Sequence, residues 1–264
     1  MVGSEEDGYA NGADTSARFR NITGFLQLNR THCILVDSDN HCLRFWERGK
    51  QVYNFVGRCE NPDHSDGIGT GAAFIKPFSL SRNKKESNII FVTVRGTPNT
   101  IRTVDLNTKQ VGTISLTNSV LLPSQGFYTV LADSASEHDV MLTADTFVSK
   151  IQLPDTVKNV FGNSTAGFLD GSITRVLFND IRSIVAIRKD VYIVADANNY
   201  RLRIIDLVSQ KVTSICSGIN KYNSGNISEC SLDKPTALFY HGTMLYIGTE
   251  DKLLQMKGKI VKFN

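Results

Sequence analysis

The sequence predicts an all-β protein, a β-propeller of four-stranded antiparallel blades, and three observations support this prediction. First, the stretch from Val36 to Phe45 returns from Ala195 to Ile204 with its Asp, Asn, Leu and Arg at matching places. The offset of 159 residues is three steps of about 53, a period typical of propeller blades. Second, the apolar stretches are short and are separated by polar turns. Third, no helical periodicity of useful length occurs along the chain.

A second landmark precedes the predicted blades, an Asp-Gly or Asn-Gly dipeptide with a Phe eight residues after its first member. The landmark pairs are Asn11 and Phe19, Asp66 and Phe74, and Asp170 and Phe178. We interpret the apolar stretches after such landmarks as innermost strands, which start near residues 25, 78, 129, 183 and 237. Their spacings of 53, 51, 54 and 54 residues keep one period along the chain.

Five repeats of four strands follow from this period. In order, the predicted strands are 24–28, 32–37, 41–46 and 51–56; 77–81, 88–94, 100–105 and 110–116; 127–132, 139–144, 147–152 and 157–161; 182–187, 191–195, 201–206 and 211–216; and 236–240, 243–248, 252–256 and 259–263. The predicted domains are a flexible N-terminal segment at 1–18 and the propeller at 19–264. Five-bladed closure is less common than six or seven. A sixth blade supplied by sequence outside this chain therefore stays open, as does a closing strand from residues 1–18.

Composition places the chain among ordinary globular proteins. Its 264 residues suit one all-β domain, and its 41% hydrophobic and 21% charged residues are typical values. A net charge of +3 does not call for a polyanionic partner. No run of 18 apolar residues occurs, so no transmembrane helix is predicted and we expect no direct membrane insertion.

The five cysteines favour an oxidising compartment. Cys33 and Cys42 lie on the two arms of one predicted hairpin and are predicted to form a disulfide. Cys216 and Cys230 bracket a loop between the fourth and fifth repeats and form the second predicted disulfide. Cys59 is then left over. A Cys42–Cys59 bond and five reduced cysteines both stay open as alternatives.

Four sequons for N-linked glycosylation occur, at Asn21, Asn29, Asn163 and Asn226. Together with the cysteines they favour a secreted glycoprotein or a domain on the extracellular side of a membrane. In the second case the chain would belong to a larger membrane-anchored protein or complex.

The repeats resemble the NHL repeat. The first repeat contains Leu35-Val36-Asp37 followed by Leu43-Arg44-Phe45, and the fourth contains Ile193-Val194-Ala195-Asp196 followed by Leu202-Arg203-Ile204. The second repeat keeps Ile101-Arg102-Thr103 but has Arg95-Gly96 where the Asp is expected. The resemblance spans essentially the whole chain. It implies a propeller fold, but it is weak for function because the motif residues serve blade construction.

The motif residues have physical roles that predict structure, not chemistry. The Asp can bond turn amides after the second strand, and the Arg can answer that Asp or a backbone carbonyl across the blade. The Phe can fill the space between adjacent blades. Asp37, Arg44, Asp196 and Arg203 are therefore predicted to be structural.

No motif indicates an enzyme, a cofactor or a metal site. The histidines make no pair with zinc-ligand spacing, and there is no nucleophile elbow. The glycine-rich stretch Gly67–Gly71 precedes a strand, so it is not a phosphate loop. Some NHL-like propellers are amidating lyases that hold a metal with channel histidines, which makes such an enzyme the alternative function. Intracellular NHL propellers that bind RNA are a second alternative, but the basic residues are scattered and lack interleaved aromatics, so no nucleic-acid partner is expected.

The loops between the second and third strands of the repeats are the predicted partner-binding surface, because loops on a rigid scaffold suit recognition. The candidate residues are Asn40, His41, Pro98, Asn99, Asn199 and Tyr200. The sequence thus predicts an extracellular, non-enzymatic module for binding a protein in an adhesion, receptor or assembly complex.

Overall fold

The computed structural model of the protein describes residues 2–83, 86–96, 100–114, 128–132, 139–152, 156–216 and 230–257. The predicted fold class is confirmed, since these residues form an all-β propeller with five blades. The chain divides into two compact units, the first holding the described residues up to Ala132 and the second those from Asp139 onward. No helix in the described part of the chain is long and apolar enough to cross a membrane.

The first unit contains two complete blades and the first strand of the third. The first blade consists of β1 (Gly12–Ala13), β2 (Ile22–Gln27), β3 (His32–Asp37), β4 (Cys42–Glu47) and β5 (Gln51–Val56). The second consists of β6 (Gly67–Ile68), β7 (Pro77–Arg82), β8 (Ile89–Val94), β9 (Thr100–Asp105) and β10 (Gln110–Ile114), and β11 (Thr129–Ala132) follows it.

The second unit contains the remaining strands of the third blade, the fourth blade and the fifth. The third blade continues with β12 (Asp139–Thr143), β13 (Phe147–Gln152) and β14 (Thr156–Gly162). The fourth consists of β15 (Gly171–Ser172), β16 (Ile181–Arg188), β17 (Val191–Asp196), β18 (Arg201–Asp206) and β19 (Lys211–Ile215). The fifth consists of β20 (Ala237–His241), β21 (Met244–Gly248) and β22 (Leu253–Lys257). The predicted strand 259–263 lies outside the described residues.

A short fifth strand is the feature that the sequence did not predict. The Asn-Gly and Asp-Gly landmarks lie at β1, β6 and β15, and each of these strands pairs with the outermost strand of its own blade. We call the segments that contain them, residues 8–20, 63–76 and 167–180, the latches. Gly12 has a φ of 145°, and a Cβ there would lie 2.6 Å from Ser16 Oγ. Glycine at this position therefore avoids both strain and a collision.

The N-terminal segment contains the first latch. Gly12 and Ala13 pair with β5 of the first blade. The indole N–H of Trp46 donates to Asp14 Oδ1 at 2.8 Å, and Ala17 is fully buried. Several backbone hydrogen bonds hold residues 3–18 to one another.

A buried arginine joins each of these latches to its blade. In the first blade, Arg44 Nη1 donates to Asp37 Oδ2 at 2.8 Å, and Nη2 donates to Ala10 O and Asn11 Oδ1, each at 2.8 Å. In the fourth blade, Arg203 bonds Asp196 Oδ2 at 2.7 Å, Asp170 Oδ1 at 2.7 Å and two latch carbonyls. Both guanidinium groups are fully buried. The predicted structural roles are confirmed, and the landmark Asp or Asn is an additional ligand of the arginine.

The second blade lacks the Asp of the Arg–Asp pair, and the residue in its place is not the one that the sequence suggested. Val94 pairs with Thr100 as Asp37 pairs with Cys42, so Val94 occupies the position of the Asp and Arg95 lies one residue beyond it. The placement of Arg95-Gly96 at the Asp position was therefore wrong. Among the described residues, Arg102 has one carboxylate partner, Asp66, at 2.6 Å. Its Nη1 donates to Ala73 O and its Nη2 to Ser65 O, each at 3.0 Å, while its Nε has no partner among them.

The landmark phenylalanines pack against these arginines. The guanidinium carbon lies 5.3 Å from the ring centroid of Phe19, 5.1 Å from that of Phe74 and 5.0 Å from that of Phe178. Phe74 also belongs to a core cluster that contains Ile34 of the first blade and Val92 of the second. The predicted packing of the landmark Phe between blades is thus confirmed in the first unit. Each such stacked pair contributes about 0.5–2 kcal/mol.

Candidate interaction surface

Each described binding loop lies at the end of its own blade, between the second and third long strands, and we call this the loop end of that blade. Residues 38–40 and 197–199 each form a turn of 3₁₀ helix. Each turn ends in a left-handed residue, His41 at φ 62° and Tyr200 at φ 54°, whose N–H donates to the first carbonyl of the turn at 3.0 Å. A left-handed residue of this size costs about 1–2 kcal/mol, so the surrounding structure must hold it in place.

Two asparagine side chains, buried Asn40 and half-buried Asn199, hold these turns. Asn40 Nδ2 donates to Asp37 Oδ2 at 2.9 Å and to Gly8 O at 2.8 Å. Asn199 Nδ2 makes the same two bonds, to Asp196 Oδ2 at 2.9 Å and to Gly167 O at 2.8 Å. Each loop is therefore bonded both to the carboxylate that pairs with the buried arginine and to the latch.

The two carboxylates experience opposing influences. Burial raises the pKa of Asp37, while hydrogen bonds from Asn40 and from the backbone of Arg20, together with Arg44, lower it. Burial likewise raises the pKa of Asp196 and outweighs its hydrogen-bond donors. Several donors thus partly offset the cost of burying each carboxylate.

These contacts correct part of the predicted binding surface. Asn40 is fully buried, so its side chain cannot contact a partner, and the prediction that it does so was wrong. The amide of Asn199 is also directed into the fold, where it makes the two bonds described above. Sequence alone places an Asn in a loop but does not show whether it points outward. Pro98 and Asn99 lie outside the described residues.

His41 and Tyr200 are half-buried and remain candidates for partner contact. His41 Nδ1 accepts a hydrogen bond from Lys76 N at 3.0 Å. Burial lowers the pKa of His41, which keeps the ring neutral and the Nδ1 lone pair available for that bond. Ring orientation and tautomer are thereby fixed at the loop end of the first unit.

Exposed polar groups surround His41. Lys76 Nζ lies 3.5 Å from Asp39 Oδ1, and Asn21 Nδ2 donates to Asp39 Oδ2 at 3.1 Å. Arg20 is exposed next to them along the chain. Opposite charges are mixed on this surface, which suits recognition of a specific protein surface better than attraction of a polyanion.

The fourth blade presents a comparable surface in the second unit. Asn198 is exposed and donates to Asn179 Oδ1 at 3.3 Å. Arg182 Nε lies 2.6 Å from Asp180 Oδ1. The guanidinium carbon of Arg201 lies 4.2 Å from the ring centroid of Phe168, which is 46% exposed. An exposed aromatic ring stacked on arginine is a common feature of protein-binding surfaces.

One predicted disulfide is wrong and the other is confirmed. Cys42 bonds Cys59 with a Cα–Cα distance of 5.0 Å, which was the open alternative, and Cys33 is a buried free thiol. Register explains the error, because Cys42 lies opposite Asp37 while Cys33 lies opposite Trp46 at the far end of the hairpin. Burial raises the pKa of the Cys33 thiol. The Cys216–Cys230 bond is present as predicted.

The Cys42–Cys59 disulfide lies at the loop end. It joins the first residue of β4, next to His41, to the connection that follows β5. Within that connection, Glu60 N donates to Asn40 O at 2.9 Å, and Glu60 is a left-handed residue at φ 62°. The disulfide and this bond hold the connection against the turn that presents His41.

The sequons occupy different ends of the blades. Asn29 lies in the turn between β2 and β3, where its Oδ1 accepts from Thr31 N and His32 N, each at 2.9 Å. Asn21 lies at the loop end against Asp39, and Asn163 is exposed after β14. Asn226 lies outside the described residues. A glycan on Asn21 would cover the surface around His41.

No group of three or more His, Cys, Asp and Glu side chains in the described residues is arranged to hold a metal ion. Both ring nitrogens of His64 are buried without a hydrogen-bond partner among those residues. His64 occupies the latch position of Tyr9 and Phe168, as the matching backbone bonds of Gly8, Asp63 and Gly167 show. It therefore serves as a packing ring.

Comparison with known proteins supports the propeller fold. No family model matches the chain, and no curated protein matches its sequence. An auxiliary nutrient binding protein of Bacteroides ovatus is similar in structure, with a TM-score of 0.60, 12% identity and coverage of 96% of this chain and 74% of that one. A chain of a nidogen/laminin complex has a TM-score of 0.60, 12% identity and coverage of 90% and 76%.

A second auxiliary nutrient binding protein, from Bacteroides thetaiotaomicron, has a TM-score of 0.55, 12% identity and coverage of 94% of this chain and 72% of that one. At such identities the likeness shows the fold alone. The chain is a β-propeller, and its structural neighbours include propellers described as nutrient-binding or solved within a protein complex.

Proposed function

We propose that this protein is an extracellular, non-enzymatic NHL-type propeller that binds a protein partner through its loop end. The observation that carries the proposal is the rigid mounting of the loop around His41. A buried Arg–Asp–Asn network, a disulfide and a bond to Lys76 hold one turn, yet its neighbouring polar side chains are exposed. Preformed loops bind with a smaller loss of conformational entropy than mobile ones.

The proposed extracellular location is supported by two features. Disulfides persist in oxidising environments, and this chain has two, one of which braces the proposed binding surface. The sequon residues Asn21, Asn29 and Asn163 are all exposed, as glycosylation requires. A location on a larger membrane-anchored protein or complex fits the same features.

The proposed NHL type is supported by the repeated network. The Asp and Arg of the motif form a buried ion pair in the first and fourth blades, and the second blade keeps the Arg. The same residues are thereby assigned to construction of the fold. Recognition is left to the exposed side chains around the turns.

The test is a search for binding among extracellular proteins, followed by mapping of the binding surface. Protein is secreted as the Thr23→Val variant, because this change removes the Asn21 sequon and replaces a buried hydroxyl that has no hydrogen-bond partner among the described residues. Any partner found is then titrated against the Arg20→Glu, Lys76→Glu double variant. We expect its affinity to fall at least about ten-fold, as charged contacts of about 1.5–3 kcal/mol are lost.

The matched control is the Lys189→Glu, Lys211→Glu double variant, which makes the same change in net charge at exposed sites of the second unit. It should bind the partner as the parent does. Equal weakening by both double variants, or no effect of the first, would show that the loop end of the first unit is not the binding surface.

A further inference from the structure

The opposite end of the first unit has a different electrostatic character. There, residues 28–31 and 48–50 join strands of the first blade, and residues 106–109 join strands of the second. Arg82, Asn83 and the described residues 86–88 lie at the same end of the second blade. We call this the basic end. Its described cations are Arg30, Arg48, Lys50, Arg82 and Lys109. Its described acids are Glu47, Glu86, Asp105 and Asp14, whose Oδ2 accepts from Gly49 N in the 48–50 turn at 3.0 Å. The described cations therefore outnumber the described acids by one.

The acids of the basic end are largely engaged within the fold. Glu47 Oε1 accepts from Lys50 Nζ at 2.5 Å and lies 3.6 Å from His32 Nε2. Asp105 accepts hydrogen bonds from the backbone N–H groups of Asn107 and Thr108. By contrast, no described carboxylate forms an ion pair with Arg30, Arg48, Arg82 or Lys109. At the loop end, Lys76 and Arg58 are both paired with an Asp.

The cations of the two blades belong to one surface. Arg48 N donates to Thr31 O at 2.8 Å, which joins the two turns of the first blade. Lys109, in the second blade, places its Nζ 5.5 Å from the ring centroid of Phe55 in the first. Leu28 and Leu106, from turns of the two blades, pack against the same core cluster. Packed sheets lie about 10 Å apart, which is about one Debye length, so the potentials of cations on facing turns of the two blades add.

The side chains of this end suit a ligand that carries anionic groups but no nucleobases. Arg30 and Arg48 are exposed, and a guanidinium presents a planar fork of donors to tetrahedral oxyanions. The aromatic rings nearby are used internally, since Phe45 stacks on Tyr53 at 5.0 Å and Phe55 is buried beneath Lys109. The indole N–H of Trp46 is likewise bonded to Asp14. These rings are thus engaged within the fold, which disfavours stacking of nucleobases at this end.

We infer that the basic end binds a sulfated polysaccharide. Such a chain carries regularly repeated oxyanions that can contact Arg30, Arg48 and Lys109 together. The extracellular setting in which this polymer occurs rests on the function proposed above, but the surface is separate from the loop end. Asn29, beside Arg30, belongs to a sequon, so a glycan there would restrict access to the basic end.

The test uses immobilised heparin as the probe and the Thr31→Ala variant as the parent protein. This substitution removes the Asn29 sequon but keeps the backbone N–H groups that Asn29 accepts from. We expect this parent protein to bind heparin at about 150 mM salt, which is close to physiological ionic strength. The Arg30→Glu, Arg48→Glu variant should bind at least about ten-fold more weakly, with the salt dependence reduced by about one unit for each cation removed.

The control is the Arg20→Glu, Lys76→Glu variant, which changes the net charge equally at the loop end and should lose less than about two-fold in heparin affinity. Absence of heparin binding by the parent would overturn the inference. Equal losses in both variants would do so as well, because they would indicate attraction by net charge alone. Tighter binding to single-stranded RNA or to polyglutamate than to heparin would assign the surface to another polyanion. None of these outcomes bears on partner binding at the loop end.

Discussion

Replacement of Arg44 by Met should unfold the first unit far more readily than its small change in volume suggests. Arg44 is fully buried and donates to Asp37, Arg18 O, Ala10 O and Asn11. Met fills much of the space but provides no donor. Asp37, itself fully buried, would then retain its charge without the guanidinium.

The magnitude follows from that unpaired carboxylate. Removal of one partner from a buried ion pair costs about 3–5 kcal/mol, because the remaining charge stays desolvated. Burial already raises the pKa of Asp37, and loss of Arg44 removes a group that lowers it. A raised folded-state pKa makes a group more favourable to the fold below its unfolded pKa and less favourable as pH rises. The penalty of the substitution should therefore be larger at pH 7 than near pH 4.

The assay is urea unfolding followed by the fluorescence of Trp46, the single tryptophan of the chain, whose indole bonds Asp14 of the first latch. Asp37→Asn in the Arg44→Met background removes the unpaired charge and should recover at least about 1 kcal/mol. Two results would refute the conclusion that this network holds the latch to the blade. One is a loss of less than about 1 kcal/mol in the free energy of unfolding of the single variant, and the other is no recovery in the double variant.

Three further predictions concern separate parts of the chain. Cys59→Ser should lower the free energy of unfolding by about 3 kcal/mol, as expected for opening a loop of this size, whereas Cys33→Ala should leave both disulfides intact by mass spectrometry. Asp105→Asn should flatten the fall in Tm as pH drops below about 4, because the backbone N–H of Thr108 lowers the pKa of Asp105 and the stability it confers is lost on protonation; an unchanged slope would contradict this. Thr31→Ala should remove one glycan mass from secreted protein, and an unaltered mass would show that this sequon is unused.

The sequence predicted the described strands well because a propeller repeats one pattern of burial. The strand predicted at 51–56 matches Gln51–Val56, and that predicted at 201–206 matches Arg201–Asp206. Each blade alternates short apolar strands with polar turns at a fixed period, so errors in one repeat are corrected by the others. The short strands of the latches escaped prediction, since two residues carry no periodicity of their own.

Contacts between side chains were less predictable than strands. The hairpin of Cys33 and Cys42 was centred too early, because its turn occupies residues 38–41 and sets a register that pairs Cys33 with Trp46. Asn40 was placed correctly in a turn, yet its amide faces inward to Gly8 of the latch, which is distant in sequence. The bond between the landmark residue and the motif Arg did have a signal in the sequence: the landmark precedes the Arg by 33 residues both at Asn11 and Arg44 and at Asp170 and Arg203.

The latches also define which stretch of chain behaves as one heritable module. A gene segment coding only for residues 22–56 would encode the four long strands of the first blade. It would omit the latch carbonyl and the Asn11 side chain that accept hydrogen bonds from Arg44. Its product would carry a guanidinium with most of its acceptors missing. Duplication or transplantation of a blade must therefore begin near residue 8, ahead of the innermost strand, so that every copy arrives with its own fastening.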